Sequence, residues 1–486
     1  MKTLRDYQTR LNTATETFLI SEDGQRGQIY APTGAGKTEC FIALIKGAIA
    51  RGVRNIAVLH PRLALSTDQL TRFKGDIGTD IMYSSFHSGA HVRGTETVRE
   101  VVTTNVQELI SVIETASTVI AKPHLTFTTY DSYKKLVNAE VKFDLIICDE
   151  AHYLVQDQFS EYLADMNADK ILFYTATPIR DDMEDSGMLN LDLFGPVIGQ
   201  VTPSELIQQG YIVAPLVHML DCTTNKKAEK VDIVDVISIS YVHQFKEVKT
   251  WGMTSHQMLV ACRDVATDIS ENINQRVREL RDAITSISNN EIDGDTIDIY
   301  TVTSDAVYVN GSPFAGTRAQ ALATLKASGT NAIVAHYDTL SEGIDISTLN
   351  GVVIMREMSK AKLIQTIGRT ARCDKSDLDD NFEPRKELFN LEKNIDTRKK
   401  RRGLVTFPIV DSKWVAGVTA KAVAEAFIAG GYGDLMDFMP KTEFKPTGKE
   451  KIGEDIDEPS WMSDIISNKL ERALEELDKL FIFDDE

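Results

Sequence analysis

Two short stretches hold residues whose types and spacing could handle a phosphate. The first, "APTGAGKTEC" at residues 31–40, places Gly34 and Gly36 ahead of a Lys37–Thr38 pair. It follows the β-like run "QIY" and precedes an apolar segment with helical spacing. Strand, glycine-rich loop and helix in that order let a loop, here Thr33, Gly34, Ala35, Gly36, Lys37 and Thr38, turn backbone N–H groups toward an anion at a helix N-terminus. In such a loop the lysine bridges the β- and γ-phosphates of a nucleotide and the hydroxyl ligates Mg2+. ATP and Mg2+ are the expected ligands, although Ala31 stands where the pattern has its first glycine.

The second stretch, "FDLIICDEAHY" at residues 143–153, runs four apolar residues straight into two adjacent carboxylates. By itself this is a buried strand ending in a wet turn, because two charges at the end of a buried strand repel and cost desolvation energy. Beside a phosphate loop the pair makes chemical sense. A second strand in such enzymes delivers an acid to Mg2+, the place Asp149 fills, through water. Glu150 can then serve as general base on the attacking water.

These residues need elements to position them. A chain of 486 residues is too long for one ordinary core, so two or three domains are expected. Candidate strands at 28–31, 55–60, 125–130, 144–148 and 171–177 alternate with helical segments. A second alternating series has strands at 258–263, 297–303, 331–337, 351–357 and 404–410. Alternation of this kind predicts parallel sheets with helices on both faces. The stretch "FGPVIGQVTPSEL", 194–206, holds two glycines and two prolines and is the expected linker. Domain boundaries are therefore placed at 1–200, 201–410 and 411–486. In the last of these, Met462, Ile466, Leu470, Ala473, Leu477 and Leu480 form an apolar helical stripe before an acidic tail. It is expected to pack on the protein's own body, with docking on a partner protein as the alternative. The charge run "DTRKKRRG", 396–403, is expected to be a solvated loop or helix face, with a phosphate-contacting patch as the alternative.

Bulk properties exclude several classes. The hydrophobic share of 42% is that of a globular chain. No apolar run is long enough to span a bilayer and the N-terminus lacks the apolar core of a signal peptide, so a cytoplasmic protein is expected. The 5 cysteines are widely spaced and odd in number, which argues against a disulfide framework or a zinc site. A net charge of −19 counts against a broad basic coat for nucleic acid but leaves room for a local groove.

Five motifs occur in order: "APTGAGKT" 31–38, "DEAH" 149–152, "TATP" 175–178, "SEGIDI" 341–346 and "QTIGRTAR" 365–372. In this the chain resembles superfamily 2 helicases and translocases of the DExH type, over roughly residues 4–373. The resemblance implies an α/β fold of two tandem RecA-like lobes, with ATP between them, and here a short helical acidic extension. It implies that "LRDYQ" 4–8 reads adenine, with Gln8 on the base edge and Arg5 nearby. His152 and the 175–178 motif would couple phosphate state to the nucleic-acid groove. Gln365 would face the γ-phosphate, and Arg369 and Arg372, three apart and on one face if helical, would be arginine fingers. Asp345 would contact the ribose or the metal shell.

The same family grips one strand along its sugar-phosphate backbone. By position, Arg62, Thr128, Thr129 and Arg263 would supply contacts, with plain strand residues an even alternative for the two threonines. The final motif and "SELIQQGYIVAP" 204–215 are similar to those of DNA-repair, branch-migration and compact bacterial or phage DNA helicases. DNA is therefore favoured over RNA, and an ATP-dependent DNA helicase or translocase over two alternatives. These are an RNA helicase and a non-enzymatic scaffold that uses ATP as a switch.

Overall fold

The protein's structure, a computed structural model, describes residues 3–78, 80–87, 100–176, 188–221, 233–262, 273–303, 306–336, 348–356, 358, 360–409, 437–438 and 442–443. Arg263, Asp345, the second half of "TATP" and the expected C-terminal helices lie outside these residues. The chain divides into two compact units, Met1–Thr202 and Pro203–Glu486.

The first unit carries an eight-stranded sheet in the order β4-β3-β5-β2-β6-β7-β1-β8. Its strands are β1 (Arg26–Tyr30), β2 (Asn55–His60), β3 (Met82–Phe86), β4 (Glu100–Thr103), β5 (His124–Thr129), β6 (Phe143–Cys148), β7 (Ala168–Thr175) and β8 (Val197–Gln200). Every neighbouring pair is parallel. Residues 56–59, 145–148 and 171–173 are all 0% exposed, which is why these strands read as unbroken apolar runs. Three helices flank the phosphate loop and the acidic turn: α1 (Asp6–Ile20), α2 (Lys37–Ala50) and α3 (Leu63–Ile77). α2 follows from its own pattern, with Phe41, Ile42, Leu44, Ile45 and Ala48 buried on the sheet.

The division between the two units falls inside the expected linker, 194–206, but part of that stretch is a strand, β8. Residues 197–200 of that glycine- and proline-bearing stretch pair in parallel with β1 as the sheet's edge strand. Its glycines serve close packing rather than flexibility. Gly195 takes φ +75°, and a Cβ there would lie 1.9 Å from the Arg26 carbonyl oxygen.

The second unit carries a larger sheet in the order β13-β12-β11-β14-β10-β15-β18-β9, extended beyond β9 by Asp437–Phe438 and Thr442–Glu443. Its strands are β9 (Ala214–Asp221), β10 (Gln257–Ala261), β11 (Asp298–Val302), β12 (Val307–Val309), β13 (Ser312–Pro313), β14 (Ala332–His336), β15 (Gly351–Ile354) and β18 (Arg402–Ile409). A separate small hairpin, β16 (Phe389–Asn390) with β17 (Ile395–Asp396), lies between β15 and β18 in sequence. All pairs in the large sheet are parallel except the β11-β12-β13 meander at one edge. The core joins Met258, Val260, Ile299, Ile333 and Val353 of the strands to Ile237, Tyr241 and Phe245 of the helix Ile233–Thr250. Two units, each a mostly parallel sheet with helices packed on it, are the tandem RecA-like architecture.

Candidate nucleotide site

Four strands of the first unit end within two residues of one another along the sheet. Tyr30 of β1 is in register with Thr175 of β7, Cys148 of β6 with Phe173 of β7, and Leu59 of β2 with Cys148. The phosphate loop, the acidic pair and the start of "TATP" thus leave the sheet at one carboxyl edge, where open α/β sheets bind ligands. Ala31 N–H donates to the Thr175 carbonyl (2.9 Å), stitching the loop to β7.

The loop is held in a shape only glycine tolerates at two places. Gly34 has φ +91° and Gly36, the N-cap of α2, has φ +73°. A Cβ on Gly36 would also meet Gln8 Nε2 at 2.6 Å. That Gln8 amide donates to the Ala35 carbonyl (2.9 Å), as does the Tyr7 hydroxyl (3.0 Å). Gln8 Oε1 in turn accepts from Arg5 N–H (3.0 Å), and Arg5 Nη1 reaches the Tyr7 hydroxyl (3.1 Å). The residues expected to read a base are therefore fastened directly to the phosphate loop. Gln8, 4% exposed, faces the loop backbone.

Lys37 opens α2 and pairs with Glu150 Oε1 at 3.0 Å. Burial alone would lower its pKa; the Glu150 and Asp149 carboxylates reverse this and raise it above its ordinary value. Thr38, the next residue, is half-buried in the same first turn. Asp149 is 5% exposed, and burial works against its charge. His60, Lys37 and Gln69 outweigh that and hold its carboxyl below the ordinary range. Gln69 Nε2 donates to Asp149 Oδ2 at 2.9 Å, while His60 Nδ1, 3.6 Å from the same oxygen, is beyond hydrogen-bond reach. We therefore assign most of the hold to the Lys37 charge and the Gln69 amide. Glu150 adopts a left-handed φ of +50°, a conformation a non-glycine residue takes at some cost, and one that swings its carboxylate toward Lys37.

His152 shares a hydrogen bond with Thr175 Oγ1 (3.1 Å) and lies 3.6 Å from Glu150 Oε2. Burial brings its pKa down to about 4, so the imidazole is neutral at physiological pH. The expected link between the acidic motif and "TATP" thus has a physical bond at its first residue.

A triphosphate with Mg2+ fits what is present. The loop offers N–H groups at a helix N-terminus, a buried cation and, across from them, a carboxylate kept ionised. Tyr7, His60, Gln69 and Tyr130, whose hydroxyl donates to the Asp149 carbonyl (2.6 Å), belong to this site but were not expected from the sequence. Nothing in local spacing marks them, since Gln69 and Asp149 are 80 positions apart.

The residues expected to touch nucleic acid separate. Arg62 is an exposed N-cap of α3. Thr128 corrects the expectation: it is 0% exposed and its hydroxyl donates to the Phe86 carbonyl (2.6 Å), so its side chain is closed to a ligand. Thr129 accepts from Ser132 N–H (3.3 Å) as the N-cap of the helix Tyr130–Asn138.

In the second unit the helix Lys360–Gly368 carries Gln365, 6% exposed, and stops before either arginine. Arg369 begins the following turn, its N–H donating to the Thr366 carbonyl (3.3 Å), and Arg372 forms a β-bridge with Ile212. The two arginines therefore do not share a helix face. Burial lowers the Arg372 pKa, while Arg369 is 8% exposed.

The charge run 396–403 is corrected at two of its cations. Arg398 and Lys400 are 2% and 3% exposed. Arg398 makes a two-bond fork with Asp396 (2.9 Å each) and lies 3.8 Å over the Phe389 ring. Lys400 Nζ donates to the Leu349 carbonyl (2.6 Å), and burial lowers its pKa to about 7. Arg398 and Lys400 thus form an internal brace, each with a partner for its buried charge, while Lys399 between them stays exposed and Arg401 and Arg402 are half-buried.

Fold and site together define a phosphate-loop α/β protein with a second RecA-like unit. Comparison with known proteins gives the family. Residues 1–180 match the family described as "Type III restriction enzyme, res subunit" and residues 271–374 match "Helicase conserved C-terminal domain". The chain is 23% identical over 389 residues to the DNA 3'-5' translocase XPB2 of Sulfurisphaera tokodaii, covering 76% of this chain and 78% of that one. Among solved structures it is similar to the ATP-dependent Type ISP restriction-modification enzyme LlaBIII bound to DNA (TM-score 0.63, 14% identity, 97% of this chain and 33% of that one). It is also similar to a putative HsdR subunit of a type I restriction enzyme from Vibrio vulnificus YJ016 (TM-score 0.51, 18% identity, 92% of this chain and 70% of that fragment). The chain thus spans about a third of the length of the Type ISP enzyme. The two helicase-type matches and the translocase relative, on a fold of two RecA-like units, support a helicase of superfamily 2. Among the described residues no helix is long and apolar enough to cross a membrane.

Proposed function

We propose that the chain is a nucleic-acid-stimulated ATPase that translocates on DNA and remodels it. The observation that carries this is the meeting of Lys37, Asp149, Glu150 and the His152–Thr175 bond at one edge of the first sheet. Glu150 would accept a proton from the attacking water, Lys37 would exchange its pairing with Glu150 for the phosphates, and Thr38 and Asp149 would hold Mg2+, which would supply charge neutralisation. Gln365, Arg369 and Arg372 are proposed to stabilise charge on the transferred phosphoryl group, with Asp345 on the ribose or metal shell. Arg5 and Gln8 would report the base to the loop through the Ala35 carbonyl.

DNA is proposed over RNA because the translocase relative and the Type ISP neighbour are both described with DNA. Arg62, Thr129 through its backbone, and Arg263 remain the proposed contacts. We further propose, from the sequence motifs alone, a bacterial or phage-infected cytoplasm, a role in DNA replication, recombination or repair, and a protein partner met through the C-terminal region. Phosphate release measured with single-stranded DNA, branched DNA and RNA is the test. Stronger stimulation by RNA would overturn the substrate, and no release with any of the three would leave a scaffold that uses ATP as a switch.

A further inference from the structure

Two groups hydrogen-bond the Asp149 carboxylate and a third, His60, faces it; Gln69 and His60 come from one segment of sequence. Oδ1 accepts the backbone N–H of Glu150 (3.0 Å). Oδ2 accepts Gln69 Nε2 (2.9 Å) from α3 and faces His60 Nδ1 (3.6 Å) at the end of β2. Both side chains are polar groups withdrawn from water, Gln69 at 7% and His60 at 0% exposure. Neither His60 ring nitrogen has a hydrogen-bond partner among the described residues. The ring is instead held flat against Phe127 (centroids 6.2 Å apart, planes 7° apart). Burying an amide is costly without compensation, and for Gln69 the compensation is its bond to the charged Asp149 carboxylate. The same segment, His60 to Gln69, contains the exposed α3 N-cap Arg62.

Resting on the proposed function, we propose that Gln69, backed by His60, is a positioning residue that transmits the placement of α3 to the metal-directed carboxylate. A small shift of α3 as its N-terminus engages a strand lengthens or shortens the Gln69–Asp149 bond. Glu150 follows, because its N–H is bonded to the other oxygen of the same carboxylate. Nucleic acid would then stimulate hydrolysis through α3, Gln69 and Asp149 in turn. This is a contiguous path with one polar bond at its end, and that bond can be cut without touching either ligand.

The test is a titration of Mg2+ against a fluorescent ATP analogue on the full chain, for wild type, Gln69→Met and Gln69→Glu. Removing a hydrogen-bond partner of a metal-directed carboxylate typically weakens metal affinity by about 10–100-fold. Gln69→Met should raise the Mg2+ concentration at half-saturation about tenfold, with analogue binding in EDTA changed less than about twofold. Gln69→Glu, of equal size but like charge, should do at least as much. The ratio of DNA-stimulated to DNA-free phosphate release should fall in both. Melting curves matching wild type show that the fold survives. If either variant melts early, the other carries the test. Unchanged Mg2+ dependence in a folded variant overturns the inference while leaving the proposed function standing. Wild type that binds no nucleotide overturns both.

Discussion

Glu150→Gln is the perturbation that separates the acidic turn's two roles. The substitution keeps side-chain volume and one oxygen but removes the charge facing Lys37 at 3.0 Å, where the two side chains are 11% and 20% exposed. A hydrogen bond between charged groups at this burial contributes about 1.5–3 kcal/mol net, and a neutral amide oxygen returns about half of it. The fold should therefore lose about 1 kcal/mol, or about 2–4 °C in the melting of a unit this size. Turnover should fall far more. Loss of a general base costs about 100- to 10,000-fold in rate. Nucleotide binding should move the other way, since Lys37 no longer has to leave a carboxylate to meet a phosphate. A gain of up to about 1.4 kcal/mol corresponds to about tenfold tighter binding. The assays are phosphate release with saturating single-stranded DNA, equilibrium binding of a fluorescent ATP analogue, and a thermal melt. Turnover within about threefold of wild type would refute the base assignment. Lost binding with an intact melt would refute the competition between Glu150 and phosphate for Lys37.

Asp149→Ala should weaken Mg2+-dependent nucleotide binding as well as turnover, and a calorimetric titration with and without Mg2+ checks this. Arg398→Met should cost about 2–3 kcal/mol in urea unfolding, below the ~3–5 kcal/mol of a fully buried pair because Asp396 is 28% exposed and can rehydrate. A change within about 0.5 kcal/mol would return Arg398 to a solvated face. Thr128→Val should lose about 1 kcal/mol from the missing bond to Phe86 while DNA affinity and its salt dependence stay put. A flatter salt dependence would mean the threonine reaches the strand after all. Acid should unfold both units early. Burial depresses His124 to about 4 and His256 to about 3, so below the ordinary value of 6.5 the unfolded chain takes the proton first. Stability then falls as pH drops from about 6.5, by about 1.4 kcal/mol per histidine at pH 5.5. Urea melts at pH 7.5 and 5.5 that coincide would show that these rings find partners for their protons.

Much of the scaffold was legible because its signals are local. Strand, glycine turn and helix are consecutive at residues 26–50, and strands buried on both faces produce apolar runs that need no partner to be recognised. β3 was hidden because Ser84 and Ser85 interrupt its run, and only the bond from Ser84 to His124 Nε2 (2.8 Å) explains a hydroxyl there. β9 was hidden by Pro215 and His218 inside it. The edge strand β8 looked like a linker because glycine signals both freedom and close approach, and only a neighbour's position tells them apart.

The sequence by itself determined the chemistry on offer: a phosphate loop, a carboxylate pair at a strand end, and arginines in a later motif. These are covalent facts about order and spacing, and the backbone physics of a glycine turn acts over a few residues. Tertiary structure alone decided how that chemistry is held. It set Lys37 against Glu150, fastened Gln8 and Tyr7 to the Ala35 carbonyl, and brought Gln69 to Asp149. It also closed Thr128 to solvent and turned two of a string of surface-like cations, Arg398 and Lys400, into an internal brace. Hydrogen bonds and burial depend on which strands end beside one another, and that pairing joins residues too far apart for any periodicity to record.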